Sequence, residues 1–331
     1  MPTYVALRSA VISLSDDGAT ERLTDEDVEC VAAHPKRPDR VFVGTFESGL
    51  QRSTDAGAEF RRIGESIDSD AVTAVAVHPD DPDEVWVGTE PSAVYRSTDG
   101  GASFDRVEGL LDVPSRSEWS FPPRPDTHHV RWLEVDPHDP DRVYVAVEAG
   151  ALVVTPDRGE TWLDRPEGSR RDNHSLATHA DAPGRVYSAA GDGYAESDDY
   201  GASWHHPQSG LDHRYVWSVA VDPGAPDTVF VSAASGAGDA HGHGGVDQAE
   251  SYVYRRRGDG DWTRVGGDGL PTGGGVLRAV LASGTDAGDL YALTNHGLYR
   301  TRDAGDSWDR LGLRWPARYE RQSPRGLVVT D

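Results

Sequence analysis

One eight-residue signature, S/T-x-D-x-G-x-x-W/F, constrains the fold of this chain more than any other feature. It recurs as Ser53-Asp55-Gly57-Phe60, Ser97-Asp99-Gly101-Phe104, Thr155-Asp157-Gly159-Trp162, Ser197-Asp199-Gly201-Trp204 and Thr301-Asp303-Gly305-Trp308. A sixth segment, Arg255 to Trp262, keeps the tryptophan alone. Self-similarity at a period of about 45 residues belongs to a solenoid, a propeller or an array, in which units bury their apolar faces against one another.

Each unit reads as four short strands. The first is apolar and stops at a turn: Val28–Ala33 before His34-Pro35, Val72–Val77 before His78-Pro79, Val130–Val135 before Asp136-Pro137. Leu176–Thr178 before His179, Val216–Val221 before Asp222-Pro223 and Leu277–Ala282 before Ser283 continue the series. Proline stops such a strand because it has no N–H for the ladder. Second strands rich in β-branched and aromatic residues follow, such as Val41-Phe42-Val43 and Val85-Trp86-Val87. A third strand leads into the signature and a fourth leaves it. Four strands per repeat make a propeller blade.

Six whole units are legible, and the chain ends supply a seventh. Leu327-Val328-Val329 reads as a first strand, and Tyr4–Leu7, Val11–Ser15 and Thr20–Leu23 as second, third and fourth. Ser15-Asp16-Asp17-Gly18 sits where a worn signature belongs. The expected fold is therefore all-β: a single seven-bladed β-propeller over residues 1–331, its ring closed by one C-terminal and three N-terminal strands. Closure removes the sheet edges that invite aggregation. Six blades with loose termini is the alternative.

The charge balance narrows the partners. With 32 basic and 56 acidic residues the formal net charge is -24, a field that repels phosphate backbones and argues against nucleic acid. Lys36 is the only lysine, and aspartate outnumbers glutamate. This surface fits a protein that stays hydrated in concentrated salt, and a halophilic source is expected; an acidic mesophilic protein with arginine-biased codons is the alternative. Cys30 is the only cysteine and reads as a small buried hydrophobe in an inner strand. Met1 to Leu14 lacks a signal-peptide pattern and no segment is apolar for long enough to span a bilayer, so a soluble cytoplasmic protein without membrane partners is expected.

The signature resembles the Asp-box, or BNR repeat, of sialidases, xyloglucan-cleaving endoglucanases, sortilin-type receptor domains and photosystem assembly factors. The resemblance covers most of the chain. It implies that the box is a hairpin loop between third and fourth strands, tied by its Ser/Thr and Asp side chains and lying away from the ligand site. Asp55, Asp99, Asp157, Asp199 and Asp303 are accordingly expected to be structural, with calcium binding as the outside alternative. The family does not fix an activity. The Arg-Ile-Pro-type motif of sialidases has no counterpart, since this chain has Arg22-Leu23-Thr24, and one cysteine excludes sortilin-type disulfides.

In a propeller the first strands line the central channel, and ligands of closed β folds bind at such mouths. Aligning the first strands on their turn residue puts Glu29, Thr73, Arg131, His174, Trp217 and Arg278 at the mouth. Two residues earlier stand Asp27, Ala71, His129, Asp172, Tyr215 and Val276. The loops after second strands add Glu47, Glu90, Glu148, Asp192, Asn295 and His296, and the seventh blade adds Arg325 and Arg8. His34, His78, His138 and His179 recur in register in the turns of the opposite face and read as structural. His128, His129, His174, His213, His241, His243 and His296 map to the mouth.

Two long loops interrupt the period. Glu108 to Thr127 holds Trp119, Phe121 and four prolines, and reads as a blade connection packing its own aromatics or as a cover for the mouth. Ala234 to Glu250, rich in glycine, reads as a lid bringing His241 and His243 to a ligand or as a loose insertion.

The chemistry expected there is that of a polar pocket for a small acidic or sugar-like ligand. His174, Glu148 and Asp192 are the candidate catalytic residues, because paired carboxylates or a histidine can transfer protons in glycoside cleavage or a lyase step. Glu29, Glu47, His129, Arg131, His213, Tyr215, Trp217, His241, Arg278 and His296 are the candidate ligand-binding residues, with Arg131 and Arg278 suited to a carboxylate. The sequence leaves the cofactor open; convergence of His129, His174 and His213 on zinc, copper or manganese is a variant without supporting ligand spacing. The alternative to an enzyme is a binding or assembly scaffold whose acidic rim meets a basic protein partner.

Overall fold

The computed structural model describes residues 2–15, 18–267 and 269–330. The chain forms a seven-bladed β-propeller of antiparallel sheets. The first blade comprises Val28–His34, Arg37–Thr45, Leu50–Ser53 and Arg61–Ile63 from the channel outwards. The second runs from Val72–Val77 to Asp105–Val107, the third from Val130–Val135 to Leu163–Asp164. The fifth runs from Tyr215–Asp222 to Thr263–Val265, the sixth from Val280–Ser283 to Asp309–Arg310. The fourth has three strands, Asn173–Thr178, Val186–Ala190 and Gly193–Ser197; its outer position is held by one antiparallel bridge between Glu196 and His205.

The termini close the ring as expected. Pro324–Val329 is the innermost strand of the seventh blade, and Thr3–Leu7, Ala10–Ser15 and Gly18–Arg22 complete it. Tyr4 pairs with Val328 and Val5 with Leu327. The worn signature at Ser15-Asp16-Asp17-Gly18 falls partly outside the described residues.

The apolar patterning fills the joints between blades. Phe42 and Leu50 of the first blade pack with Val85 and Phe104 of the second; Phe230 and Val253 of the fifth pack with Leu281 and Trp308 of the sixth. The seventh blade meets the sixth through Val5, Leu7, Tyr291 and Leu293, and the first through Tyr4, Ala6, Val28 and Val41. The aromatic residue that ends each signature is thus a wedge against the preceding blade, which is why it must be large.

The signature loop satisfies itself. In the second blade Ser97 Oγ accepts from Gly101 N at 2.9 Å and donates to Asp99 Oδ1 at 2.7 Å. Asp99 also accepts from Ala102 N, Ser103 N and Ser103 Oγ. These donors, the Ser103 hydroxyl first, hold its carboxyl well below the usual range. Gly101 has φ 82°, and a Cβ there would come within 3.0 Å of Phe42 and Ile63, so the turn and the packing both require glycine.

The turns after the inner strands explain why histidine and aspartate alternate there. His78 Nδ1 accepts from Asp80 N and Asp81 N, both at 3.1 Å; Asp136 Oδ1 accepts from His138 N at 2.9 Å and Asp139 N at 3.1 Å. Either side chain supplies the acceptor that the turn needs. His34 Nε2 and His179 Nε2 then bond the next blade's turn, at Pro79 O (2.7 Å) and Asp222 O (3.0 Å).

Candidate functional site

A bulge builds the mouth. In five blades the inner strand skips one residue in its pairing, and the skipped residues are Glu29, Thr73, Arg131, His174 and Trp217. The seventh blade skips Arg325 in the same way. A bulge leaves its residue out of the ladder and re-aims its side chain. The irregularity therefore turns one residue per blade into the channel opening. The sixth blade departs from the expectation: its inner strand starts at Val280, because Arg278 N bonds Ala240 O in the inserted loop.

Glu29, Thr73, Arg131, Trp217 and Arg325 line a cavity of about 650 Å³, within the range of small-ligand sites, and His174 and Arg278 are buried behind its wall. Glu29, Glu47, His129, Arg131, Glu148, Tyr215, Trp217 and His241 line it, with Asp27, Asp172, Arg8 and Arg325. Both long loops reach it. The 108–127 segment buries Trp119, whose Nε1 donates to Ser115 Oγ at 2.9 Å, and sends Phe121 and Arg124 to the mouth. The 234–250 segment forms a short helix, Ala237–His241, that sets the His241 ring edge-on to Trp217 at 4.9 Å.

Trp217 is the floor. Its ring is 5 % exposed and its surroundings are cationic or aromatic: the Arg278 guanidinium lies 3.5 Å from its centroid, Arg131 4.9 Å and the His174 ring 4.4 Å. Arg124 sits 4.8 Å from both Phe46 and Phe121. The aromatic faces are therefore occupied by arginines and are not free platforms for a neutral sugar ring.

Four of the five arginines here answer a carboxylate: Arg8 with Asp27 at 3.1 Å, Arg124 with Glu90 at 2.7 Å, Arg325 with Glu29 at 3.2 Å, and Arg131 with Glu148 at 3.7 Å. Arg278 has none. It donates Nε to His241 Nδ1 at 3.2 Å and Nη1 to Pro324 O at 2.8 Å, and its buried Nη2 has no hydrogen-bond partner. Burial first, then Arg325 and Arg131, act against its charge. Because arginine only donates, His241 Nδ1 is the acceptor and its Nε2–H faces Tyr215 Oη at 3.0 Å. Burial and Arg278 push the His241 imidazole down to about 2, so it stays neutral.

An acidic corner lies beside the arginines. His129 Nε2 is 2.9 Å from Glu148 Oε2. Burial favours a neutral Glu148, but the His129 hydrogen bond, with the Arg131 guanidinium nearby, outweighs it and keeps this carboxyl well below its usual range. Asp172 Oδ1 accepts from Ala149 N at 2.7 Å. Burial, with Glu148 nearby, raises Asp172 against the pull of His174. His174, 1 % exposed, sits under both, its Nδ1 2.7 Å from Val216 O.

Three expected site residues face elsewhere, and two more, His174 and Arg278, are buried and do not line the cavity. Asp192 is exposed, and its carboxylate accepts from Arg171 N and Asp172 N, so it props the strand entry instead of facing the cavity. Asp172 holds the place beside Glu148 that Asp192 was expected to fill. His213 turns outward, stacking on Tyr252 at 4.5 Å with Nδ1 2.5 Å from Tyr254 Oη, which also separates it from His129 and His174 as a shared metal ligand. His296 Nε2 is 3.1 Å from Gly275 O and its residue does not line the cavity. Phe46 and Arg124 are cavity residues that the alignment of repeats passes over: Phe46 stands in the register of Glu90 and Glu148, where the alignment takes the neighbouring Glu47 instead, and Arg124 stands in an inserted loop.

No family model and no curated protein matches the chain. Solved structures share its fold. An ancestral GH74 enzyme aligns with TM-score 0.67 at 18% identity over 88% of this chain and 39% of its own. The GH74 enzyme of Niastella koreensis aligns with TM-score 0.65 at 16% identity over 97% of this chain and 55% of its own. YCF48 bound to D1 peptide aligns with TM-score 0.59 at 13% identity over 86% of this chain and 80% of its own. The chain thus spans about half or less of the two GH74 enzymes, and at these identities the likeness is one of fold. Among the described residues no helix is long and apolar enough to cross a membrane.

Proposed function

We propose that this propeller is an enzyme of hydrolase or lyase type acting on a small anionic, sugar-like substrate at the channel mouth. The observation that carries the reading is the opposition around one cavity of Arg278, a cation buried behind its wall with no carboxylate partner among the described residues, to a corner of lining carboxylates with opposed proton affinities, Glu148 and Asp172. A buried positive charge without a counter-ion favours an anionic ligand. Carboxyl groups whose proton affinities are pushed apart are the usual sign of acid–base assignment. Arg131 and Arg325 line the cavity in front of Arg278 and offer forked donors to a substrate carboxylate. Tyr215 Oη, already accepting from His241, keeps its own hydrogen for the ligand. The reacting centre is the Glu148–Asp172–His174 corner.

The fold admits more than one activity, since its neighbours include GH74 enzymes and YCF48 bound to a peptide. The five signature loops resemble Asp-boxes, and their closed hydrogen bonding supports a structural role for them. A halophilic, cytoplasmic setting agrees with the composition and sets the assay conditions. The test is a thermal-shift and product screen of uronate-containing oligosaccharides in molar KCl. Saturable stabilisation and turnover that Glu148→Gln abolishes and Arg131→Gln weakens are expected. Binding confined to basic peptides would favour the scaffold reading, and binding unchanged in both variants would remove the cavity from consideration.

A further inference from the structure

His174 poses a problem of unused lone pairs. Its Nδ1 lies 2.7 Å from the Val216 carbonyl, so Nδ1 carries the hydrogen and Nε2 of the neutral ring is an acceptor. That Nε2 is buried and without a hydrogen-bond partner. It faces two further acceptors, Asp172 Oδ2 at 3.7 Å and Glu148 Oε1 at 3.9 Å. Three acceptor groups thus converge within 4.8 Å of one another with no donor among the described residues between them.

Three occupants resolve such a convergence: a proton on Nε2, a cation among all three, or a water donating to two of them, whose bonds of about 2.8 Å would hold that pair roughly 4.5 Å apart. The distances favour the cation. A proton would draw donor and acceptor to about 2.7–3.2 Å. Bonds of about 2.0–2.2 Å to a metal place neighbouring donors roughly 3–3.6 Å apart, and 3.7 and 3.9 Å need only a few tenths of an ångström of closure to reach that span.

The surroundings are those of a ligand set. Metal-bound histidine ordinarily donates its other N–H to a carbonyl or carboxylate, as His174 does to Val216. The second oxygen of Glu148 is taken by His129 Nε2, and the second oxygen of Asp172 by Ala149 N. Each of the three therefore has one polar atom fixed by a neighbour and one free atom aimed at the same point. Glu148 and Asp172 line the cavity, so a cation there would keep positions open to a ligand.

We propose that Glu148 Oε1, Asp172 Oδ2 and His174 Nε2 form a divalent metal site of the zinc or manganese class at the wall of the cavity. One nitrogen and two carboxylate oxygens suit these ions. Arg131, 3.7 Å from Glu148, opposes the added charge, and an anionic ligand spanning the metal and the arginines would relieve that opposition. The proposal deepens the functional reading and rests on it for the substrate alone. A cation here would polarise a bound carboxylate or acidify a bound water.

The test uses the whole chain, stripped with chelator and kept in molar KCl so that surface acids bind cations weakly. Calorimetric titration with Zn²⁺ alone is expected to show one saturable equivalent. Asp172→Asn and His174→Gln should each weaken it at least tenfold, and Asp55→Asn, in a signature loop, should leave it unchanged. Absence of a saturable equivalent, or equal affinity in His174→Gln, overturns the site. A second measurement needs no variant: Co²⁺ added to the stripped protein should gain visible absorption distinct from Co²⁺ in buffer, and an unchanged spectrum counts against the proposal. One Zn²⁺ equivalent without turnover of any uronate would sink the functional reading and leave the metal site standing. Turnover that persists in the stripped protein, with no Zn²⁺ bound, would do the reverse.

Discussion

The two faces of the ring treat polar side chains in opposite ways. On the signature face the same bond is made repeatedly by the same kind of residue. Ser53, Ser97, Ser197 and Thr301 each accept from the glycine four positions on at 2.9 Å. On the mouth face no two of the bulged residues Glu29, Thr73, Arg131, His174, Trp217 and Arg325 share a type and a partner, and His129 Nδ1, His174 Nε2, Arg278 Nη2 and Arg325 Nε are buried without one. Repetition with closed bonds marks what every blade needs to stand. Singular residues with open bonding capacity mark what the ring is used for. His78 Nε2, on the turn face, and Nε1 of the signature residue Trp308 are exceptions to this division, open in spite of their repeated positions.

The sharpest way to break this contrast is to delete one large aromatic on each face. Trp217 and Trp308 are both 5 % exposed. Replacing either with alanine is expected to cost about 3–5 kcal/mol, the usual range for a buried aromatic. Denaturant melts should show similar losses. Ligand binding should vanish only in Trp217→Ala, because Trp217 carries Arg131, Arg278, His174 and His241. If Trp308→Ala abolishes binding equally under conditions where it is folded, the faces are not separable.

Arg278→Met gives the next largest effect and isolates charge from packing. The variant removes a buried cation that its neighbours oppose, and apolar replacement of buried charges is often neutral for the fold. Its stability should stay near that of the wild type, with the freed His241 Nδ1 and Pro324 O as the offsetting loss. Affinity for an anionic ligand should fall about 100-fold, or about 2.7 kcal/mol. A variant that unfolds yet binds normally when stabilised would assign Arg278 to the scaffold.

Thr301→Val asks the converse question of the signature face. It keeps the shape and removes the oxygen that accepts from Gly305 N, leaving a buried N–H unpaired. A loss of about 1–2 kcal/mol is expected, with no change in ligand affinity. Calorimetric melting beside a binding isotherm checks both halves.

The division also explains how much the sequence disclosed. The closing of Pro324–Val329 against Thr3–Leu7 was legible because the missing strands at one end match the surplus strand at the other. So were the structural turns, since His78 and Asp136 occupy one register and do one job. The site was legible only as far as the alignment of inner strands reaches. It placed Glu29, His129, Arg131, Trp217 and Tyr215 at the mouth, but chose Asp192 over Asp172. A loop carboxylate that caps two backbone N–H groups looks the same in sequence as one that faces a cavity. Phe46 shares the register of Glu90 and Glu148 and is hidden by the acid beside it, Glu47; Arg124 stands in an insertion with no repeat register, and the bulges that re-aim each mouth residue leave no mark in composition or spacing.

The smallest expected effect lies between the faces, in the channel. Glu134 follows the deeper inward position of the third blade and accepts from Trp132 Nε1 at 3.1 Å and Thr178 Oγ1 at 2.9 Å. Burial raises its carboxyl to about 7 in spite of those two donors. A carboxyl raised on folding favours the folded state fully below its unfolded value, and that contribution is lost as the pH climbs through the folded value. The window therefore runs from about 4.5 to about 7. Glu134→Gln removes the titration and leaves the rest of the channel in place. Its melting temperature relative to the wild type should rise between pH 5 and pH 8, by a margin reduced by whatever channel water screens the charge. A flat difference across that range would mean that Glu134 ionises normally, and that the channel wall, like the mouth, is wetter than its packing implies.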